Sequence, residues 1–565
     1  LDFLKSASQS AVQKEAHMAE KEELTLENDV EAGEDAGGEG EEAEDVDEYT
    51  DDNDPGYVVL DVTDEEFHRL HKEAVDNITK ARAALPKGAE EALATEVSRQ
   101  PKLMRFDNGE VGWISEETKA IGKSVAIAAP GAAIPRTSKT GSLRDSQELR
   151  AIELRKKSNL TSFQLKVIHE PMRTGFEVDK DFVPERDMVV AGRFQVEEFL
   201  GEAAFSTAIQ CKDLASLDSK SSASSVEEAE SVCLKIIKNN KDYFDQSLDE
   251  IKLLHFINSR GDPEKFHVLR MIDYFYYKEH LFLVTELLKD NLYEYSRYIR
   301  HSGAEPYFTL PRLKKIMRQL IEAVAFIHSL NLIHCDIKPE NILIQSYSQV
   351  KVKLIDFGSS CFTSDYLNSY VQSRSYRAPE VILGLPYGPK IDLWSLGTVA
   401  AELLTGNVLF QNQSVPTMLI RMTSILGPVP VNMLLLGTSV NKYFLSGKMV
   451  FERTGSKGTV TIMRAKKTSI KHRLHAEASD EFTDFVTQLL QYDQTKRPSA
   501  LEALRHPFLC EPLDDATGAD AVPPPPPSVS SSGSVSTDGA ATNTAEAFEM
   551  ELRGASGSLH TAGLG

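Results

Sequence analysis

"HCDIKPEN" (residues 334–341), followed by "IDFG" (355–358), decides how this sequence folds. Transfer of a phosphoryl group requires a carboxylate that orients the attacking hydroxyl and accepts its proton, oxygen ligands for Mg²⁺, and a cation near the phosphates. Four side chains fit these roles: Asp336 the carboxylate, Asn341 and Asp356 the metal ligands, and Lys338 the cation. The strand-like run "VKVKLI" leads into the second segment, so the two motifs predict a catalytic loop and a metal-binding turn.

A lysine and a helical acid lie upstream of these motifs. "VCLK" places Lys235 at the end of an apolar strand, where a lysine can pair with the α- and β-phosphates of a nucleotide and with a glutamate on a helix. The helix segment "QSLDEIKLL" (246–254) offers Glu250 among apolar residues. Asp249 is adjacent and remains an alternative partner, and a solvated helix charge is the competing interpretation of Glu250.

The segments downstream complete a set of collinear motifs. "SRSYRAPEVILG" contains Ala-Pro-Glu at 378–380, and "TKRPSA" contains Arg497, so Glu380 and Arg497 are expected to form an ion pair. Together the motifs identify the chain as similar to the eukaryotic protein kinases. "SSC" after Asp-Phe-Gly, Cys335 within "HCD", "YVQSRSYRAPEVILG" and "RPSALEALRHPFL" resemble the dual-specificity tyrosine-regulated kinases (DYRK), and "KIIKNNKDYFDQSLDEIKLL", "LIHCDIKPENIL" and "ELLTGNVLFQN" resemble their plant-type subgroup.

The pattern of elements predicts an α+β protein with the bilobal kinase fold: a β-rich N-lobe followed by an α-helical C-lobe. The kinase resemblance covers 194–509, and 163–193 resembles the segment that precedes the kinase domain in this family. The expected strands are 194–200, 207–211, 231–237, 268–275 and 280–286, with a helix at 243–257. The expected C-lobe helices are 311–330, 390–405, 415–425 and 480–491. A polar insertion, 213–230, is predicted to be a solvated loop.

The flanking regions differ from the kinase segment in composition. Residues 20–54 contain 18 Asp and Glu and one Lys, so they carry −17 of the net charge of −23, and 1–56 is expected to be a disordered acidic tail. Region 57–160 predicts a helix from Thr63 to Leu85, with a capping box formed with Glu66, then a hairpin at 105–113 and a linker from 124. Region 510–565, rich in Pro, Ser and Gly, is expected to be a disordered tail.

The resemblance implies a tyrosine in the activation loop that is autophosphorylated during maturation. The family usually has Tyr-x-Tyr, whereas this chain has Asn368-Ser369-Tyr370. We predict that phosphorylated Tyr370 is bound by Arg374 and Arg377, because guanidinium groups suit a phosphate geometrically. The alternative is that Tyr370 only packs. Cys335 replaces the arginine that in most kinases contacts an activation-loop phosphate, so reversible switching through that contact is not expected.

The adenine site is expected at the end of the strand "LFLVTELL". Thr285 occupies the gatekeeper position, where several family members have a bulky Phe, so a deeper back pocket is predicted. Backbone groups of Glu286 and Leu288 are expected to form hydrogen bonds with adenine.

The glycine-rich loop of kinases corresponds here to "LGEAAFSTA" (200–208), which has one glycine. Compared with the pattern G-x-G-x-x-G-x-V, Gly201 keeps the first glycine, Ala203 and Ser206 replace the others, and Ala208 replaces the valine. The full set expected to cover the nucleotide is Leu200, Gly201, Ala203, Phe205, Ser206 and Ala208. Because the replacements are small, the loop is predicted to be functional but to bind ATP more weakly.

The bulk composition limits the classes of function. The near-neutral folded part argues against a nucleic-acid partner, and no apolar run is long enough for a membrane span. Five cysteines without metal-ligand or redox spacing predict an intracellular protein of the cytoplasm, the nucleus or both. The basic run "RAKKTSIKHR" (464–473) fits a solvated insert better than a nuclear localisation or docking site.

The sequence therefore predicts an enzyme that uses ATP and Mg²⁺ to phosphorylate Ser and Thr of protein substrates, with autophosphorylation of Tyr370. One alternative is a pseudokinase scaffold, which commonly lacks at least one of Lys235, Glu250, Asp336, Asn341 and Asp356; all five are present. Another is an acidic interaction module formed by the N-terminal region. Substrates and oligomeric state are not predicted.

Overall fold

The computed structural model describes residues 56–85, 88, 102–105, 111–114, 162–217 and 226–510, with short gaps at 61, 176, 178–179, 304, 366–369, 412, 448, 455–458 and 476–477. The expected linker from 124 to 160, the acidic run 20–54 and most of the C-terminal tail lie outside these residues. The chain forms two compact units. We call Leu160–Lys252 with Arg270–Leu288 the sheet unit, and the unit that contains Leu253–Leu269 and Lys289–Val522 the helical unit.

The elements of both units alternate along the chain. The strands are β1 (Tyr57–Leu60), β2 (Lys102–Arg105), β3 (Val111–Ile114), β4 (Val167–Ile168), β5 (Val189–Val190), β6 (Phe194–Glu202), β7 (Ser206–Asp213), β8 (Glu230–Ile237), β9 (Met271–Tyr277), β10 (His280–Glu286), β11 (Leu332–Ile333), β12 (Ile342–Ser346), β13 (Lys351–Leu354), β14 (Cys361–Phe362), β15 (Phe444–Ser446), β16 (Met449–Thr454) and β17 (Thr459–Ala465). The helices are α1 (Asp64–Ala83), α2 (Lys241–Arg260), α3 (Leu292–Ser302), α4 (Leu310–Ser329), α5 (Pro379–Leu383), α6 (Lys390–Thr405), α7 (Val415–Leu426), α8 (Val431–Leu436), α9 (Ile470–Arg473), α10 (Asp480–Leu489), α11 (Ala500–Ala503) and α12 (Pro507–Cys510).

The sheet unit is built on seven strands in the order β4-β9-β10-β8-β7-β6-β5. All neighbours are antiparallel except β4, which pairs in parallel with β9. Alternating side chains of these strands form one apolar core around Phe275 and Phe282, whose rings stack 5.0 Å apart. The five predicted strands and the predicted helix are confirmed; the fourth strand starts at Met271, not at 268.

The helical unit is organised around α4 and α6, which are almost entirely buried on the sides that the apolar periodicity predicts. Gly397 in α6 allows α10 to pack closely, because a Cβ at that position would lie 2.9 Å from Leu490 Cδ2. The four predicted C-lobe helices are confirmed to within two residues at each end. The α+β class with a β-rich and an α-rich lobe is therefore confirmed.

A second sheet in the helical unit corrects the expectation that the chain after residue 290 is mostly helical. It has the order β1-β17-β16-β15, and its first strand comes from the N-terminal region. Helix α1 lies against it: Phe67 is buried and packs on Phe451 with ring centroids 5.2 Å apart. The predicted helix is confirmed, with Thr63 as N-cap accepting a hydrogen bond from Glu66 N at 3.3 Å.

Three smaller features refine the sequence interpretation. Strands β2 and β3 are antiparallel, as predicted for the hairpin, but they begin and end further out than 105 and 113. The insertion 213–230 is not uniformly solvated, because Asp213 is buried at the end of β7 and forms an ion pair with Arg193 at 2.6 Å. None of the described helices is long and apolar enough to cross a bilayer.

Candidate active site

The sheet unit holds Lys235 and Glu250 in an ion pair. Lys235 is on β8, and its Nζ lies 2.9 Å from both carboxylate oxygens of Glu250 on α2. Glu250 is buried, whereas Asp249 is exposed and pairs with Lys252. The structure thus assigns the partner of Lys235 to Glu250, because only this side of α2 faces the sheet.

The glycine-poor loop connects β6 and β7 as a tight turn. Ala203 N donates a hydrogen bond to Ser206 O at 2.8 Å, and Phe205 O accepts one from Lys238 N at 3.0 Å. Neither Ala203 nor Ser206 has a positive φ. The two replaced glycines therefore introduce no backbone strain here, which was the condition for a cheap replacement. The Phe205 ring centroid lies 5.6 Å from Lys235 Nζ, a cation–π contact at the tip of the loop.

The expected adenine-binding segment follows β10. Thr285 is buried and its Oγ1 donates to Glu286 O at 3.2 Å. Glu286 N donates to Arg270 O at 3.1 Å, so this amide belongs to the sheet. Among the backbone groups of Glu286, only its carbonyl can therefore serve as a new acceptor for a base. The role of Leu288 stays a prediction.

In the helical unit, Asp336 is fixed by two neighbours. Its Oδ1 accepts hydrogen bonds from Ser373 Oγ at 2.7 Å and from Ser373 N at 3.0 Å, and its Oδ2 lies 2.9 Å from Lys338 Nζ. Lys338 Nζ also lies 3.1 Å from Ser373 Oγ. Burial raises the pKa of Asp336, but Lys338 and Ser373 outweigh it and hold that pKa below its ordinary value. Asp336 is thus ionised at neutral pH, as an acceptor for a hydroxyl proton must be.

Two oxygen donors lie next to Asp336. Asn341 Nδ2 donates to Asp336 O at 2.9 Å and to Asp336 Oδ2 at 3.1 Å, so the Oδ1 of its amide faces the other way. Ile355 N donates to Asn341 O at 3.0 Å, which brings the following residue, Asp356, to the same end of the β12–β13 pair. Asp356 has φ 62 and accepts a hydrogen bond from Gly358 N at 3.1 Å. An amide oxygen and a carboxylate side by side fit a hard cation such as Mg²⁺.

Asp392 supports the catalytic loop from below, a role that the sequence analysis did not assign. Its carboxylate is fully buried and accepts hydrogen bonds from His334 N at 2.9 Å and Cys335 N at 3.1 Å. The Nε2 of His328 on α4 lies 2.8 Å from the same group. These bonds fix the left-handed conformation of Cys335 (φ 65). The spacing of "DLWSLG" from the loop offers no signal for this contact, because it spans 57 residues.

The activation segment places Arg377 over Tyr370. The guanidinium carbon lies 4.2 Å from the ring centroid, and the ring is exposed at its edge, with 53% of Tyr370 accessible. Nε and Nη2 of Arg377 donate to the carbonyls of Val371 and Gln372. Arg374 begins a 3₁₀ turn four residues after Tyr370. The neighbouring Asn368 and Ser369 lie outside the described residues.

Two contacts elsewhere in the helical unit bear on the sequence analysis. Arg497 donates to both oxygens of Glu380 at 2.7 and 3.0 Å, and both side chains are completely buried, so the expected pair forms. The statement that no cysteines are suitably spaced is wrong in three dimensions, because Cys335 Sγ lies 3.6 Å from Cys361 Sγ. The antiparallel pairing of β11 with β14 brings these distant positions together.

The fold and this arrangement of an acid, two oxygen donors and two lysines define a protein kinase. The family described as "Protein kinase domain" matches residues 194–509. The chain is 35% identical over 330 residues to the "DYRK-family kinase pom1" of Schizosaccharomyces pombe, covering 57% of this chain and 28% of that protein. It is 33% identical to the "Dual specificity tyrosine-phosphorylation-regulated kinase 2" of Drosophila melanogaster (57% and 42%) and 31% identical to the "Probable dual specificity protein kinase YAK1 homolog" of Encephalitozoon cuniculi (60% and 80%).

The chain therefore belongs to the protein kinase family, within the group of DYRK and YAK1 kinases. The alignments cover 28%, 62% and 42% of the first three curated relatives, so much of each relative lies outside the match. The likeness to the plant-type subgroup stays a prediction.

Proposed function

We propose that the chain is an ATP-dependent kinase that phosphorylates Ser and Thr of protein substrates. The carrying observation is the geometry of Asp336, whose ionised carboxylate is held by Lys338 and Ser373 beside the oxygen of Asn341. A scaffold without activity has no need to keep a buried acid ionised, because burial alone disfavours its charge.

In the proposed mechanism, bound Mg²⁺ would neutralise the negative charge of the phosphates, held by Asn341 and Asp356. Asp336 orients the substrate hydroxyl and accepts its proton as the oxygen attacks the γ-phosphate. Lys338 remains protonated because the carboxylate of Asp336 raises its pKa against the opposite effect of burial. It therefore places a positive charge next to the reacting group. Lys235, oriented by Glu250, binds the other phosphates.

The test is phosphopeptide mapping of purified protein incubated with Mg·ATP and a Ser/Thr peptide mixture, beside the Asp336→Asn variant. We expect phosphate on substrate Ser or Thr in the wild type and none in the variant. Absence of phosphate on any residue of the wild type, with a folded protein shown by circular dichroism, would reject the proposal.

We further propose that Tyr370 is the site of autophosphorylation. Its ring edge is exposed, and Arg377 is already adjacent, with two of its three nitrogens bonded to backbone carbonyls. A phosphate on the hydroxyl would gain a charge-assisted bond from the remaining Nη1. The Tyr370→Phe variant should lose phosphotyrosine in mass spectra of freshly expressed protein. If phosphotyrosine persists in Tyr370→Phe at the wild-type level, the site is elsewhere.

A further inference from the structure

The strand β1 fixes the start of the described chain at a basic surface. β1 pairs with β17 so that Tyr57 lies opposite Ala465 and Val58 opposite Arg464. One residue earlier, Gly56 O accepts a hydrogen bond from Lys466 N at 3.0 Å. Residues that precede Gly56 must therefore leave the sheet at the end of β17 where the run 464–473 begins.

The basic surface consists of the charged side chains of this run. It carries no Asp or Glu, and its members are Arg464, Lys466, Lys467, Lys471, His472 and Arg473. Arg464, Lys467, Lys471 and His472 are exposed. The run is not a featureless insert, because it continues from β17 into α9 and its backbone is bound on both sides: Thr468 N donates to Ser424 O at 3.0 Å, and Ser424 Oγ donates to Lys466 O at 2.5 Å.

Arg473 lies at the point where the chain enters. A Cβ on Gly56, which has φ +74, would be 3.4 Å from Arg473 Nη2. The Nε of Arg473 is buried and has no hydrogen-bond partner among the described residues. A donor in this state favours an anionic acceptor nearby. The one described acid that pairs with the surface is Asp480, 3.1 Å from Lys471, and both side chains of that pair are largely exposed.

The segment that enters here is the most acidic part of the chain. Residues 20–54 have a net charge of −17, and Asp54 is two residues before Gly56. At about 3.5 Å per residue, the Cα of Asp54 is within roughly 7 Å of Gly56 and that of Asp51 within roughly 18 Å. Such a short tether gives the carboxylates a millimolar effective concentration at the surface.

We propose that the acidic segment 20–54 binds the basic surface of 464–473 in cis, with β1 as the clip that places it there. The contact is electrostatic, so it weakens as the Debye length falls from about 10 Å at 0.1 M salt to about 3 Å at 1 M. Its consequence is that the surface, which alone would attract polyanions, is occupied by the chain itself.

Zero-length carbodiimide cross-linking of the full chain tests the contact directly. In 50 mM salt, carboxylates of 44–54 should couple mainly to Lys466, Lys467 and Lys471, and these products should fall at least fivefold in 1 M salt. Lys314 and Lys315, on α4, serve as internal reference lysines. Products spread over all exposed lysines, or unchanged in 1 M salt, would overturn the proposal.

A matched pair of full-chain variants tests the tether. The near variant changes six acids close to β1 to their amides (Glu44, Asp45, Asp47, Glu48, Asp51, Asp52), and the far variant changes six distant ones (Glu20, Glu22, Glu23, Glu27, Asp29, Glu31). Both have the same net charge. The near variant should elute from heparin at the higher salt, and adding Lys467→Gln with Lys471→Gln should remove that gain. Equal elution of the two variants would overturn the proposal. None of these readouts uses phosphotransfer, so they are independent of the proposed function.

Discussion

The catalytic loop and the glycine-poor loop differ in how strictly they keep their chemistry. In the catalytic loop, each side chain that touches the reaction is held by at least one specific bond, as Asp336 is by Ser373 and Lys338. In the loop between β6 and β7, two glycines and a valine are replaced by small residues, yet the turn forms with ordinary backbone angles.

This difference shows which parts of a phosphate-handling site depend on side chains. Proton acceptance and metal binding need particular functional groups, whereas a loop covering phosphates uses backbone amides that any small residue supplies. We therefore expect changes in the catalytic loop to abolish turnover, and changes in the glycine-poor loop to alter only ATP binding.

The largest expected effect comes from Asp336→Asn. Loss of the proton acceptor should lower kcat by roughly 10²–10⁴-fold, while the amide keeps the hydrogen bond from Ser373. Steady-state phosphorylation of a peptide measures kcat, and isothermal titration with ATP should show affinity within about threefold of wild type. A kcat within tenfold of wild type would mean that Asp336 is not the acceptor.

The ion pair of the sheet unit should give the next largest effect. Glu250→Gln leaves Lys235 without its buried counter-charge, and we expect kcat/KM for ATP to fall by about 10–100-fold, on the order of 1.4–3 kcal/mol. Asp249→Asn is the matched control, because it removes the adjacent exposed acid that pairs only with Lys252. Similar losses in the two variants would show that charge on α2, and not the pair, is what matters.

A pH effect on stability should arise in the helical unit alone. Burial raises the pKa of Glu402 to about 7, against the opposing hydrogen bond from Tyr376 Oη at 2.8 Å. A carboxyl whose folded pKa lies above its unfolded value stabilises the fold below the unfolded pKa, and loses that contribution as the pH rises through 7. The melting temperature of the wild type should therefore fall between pH 5 and pH 8 by more than that of Glu402→Gln.

The control for this prediction is Glu294→Gln, which changes an exposed acid on α3. It should follow the wild-type pH dependence within error. Should Glu402→Gln lose the same number of degrees as wild type over this range, the raised pKa of Glu402 is contradicted.

The sequence predicted those parts of the site in which the functional group itself is the signal. Asp336, Asn341, Asp356 and Lys235 are recognisable from residue type and spacing, and apolar periodicity located the helices α4 and α6. The choice of Glu250 over Asp249 needed the structure, because the two acids differ only in which side of α2 they occupy.

Contacts between distant segments were beyond the sequence analysis. Asp392 supports His334 from another helix, and Cys335 meets Cys361 through strand pairing. β1 adds to the sheet of β15–β17 across 400 residues of chain. A four-residue strand has too little periodicity to reveal its partner, since what selects the partner is the apolar surface around Phe67 and Phe451.

The smallest expected effect tests the central claim that the loop is loosened but functional. Ala208 lies opposite Gly201 in the β6–β7 ladder, and valine there restores about 1 kcal/mol of apolar contact, or roughly fivefold in affinity. Because Ala203 is unstrained, Ala203→Gly should add little to this. The decisive measurement is the KM for ATP and kcat of Ala203→Gly/Ala208→Val beside wild type. We predict a KM about fivefold lower with kcat unchanged within twofold; an unchanged KM would contradict the account.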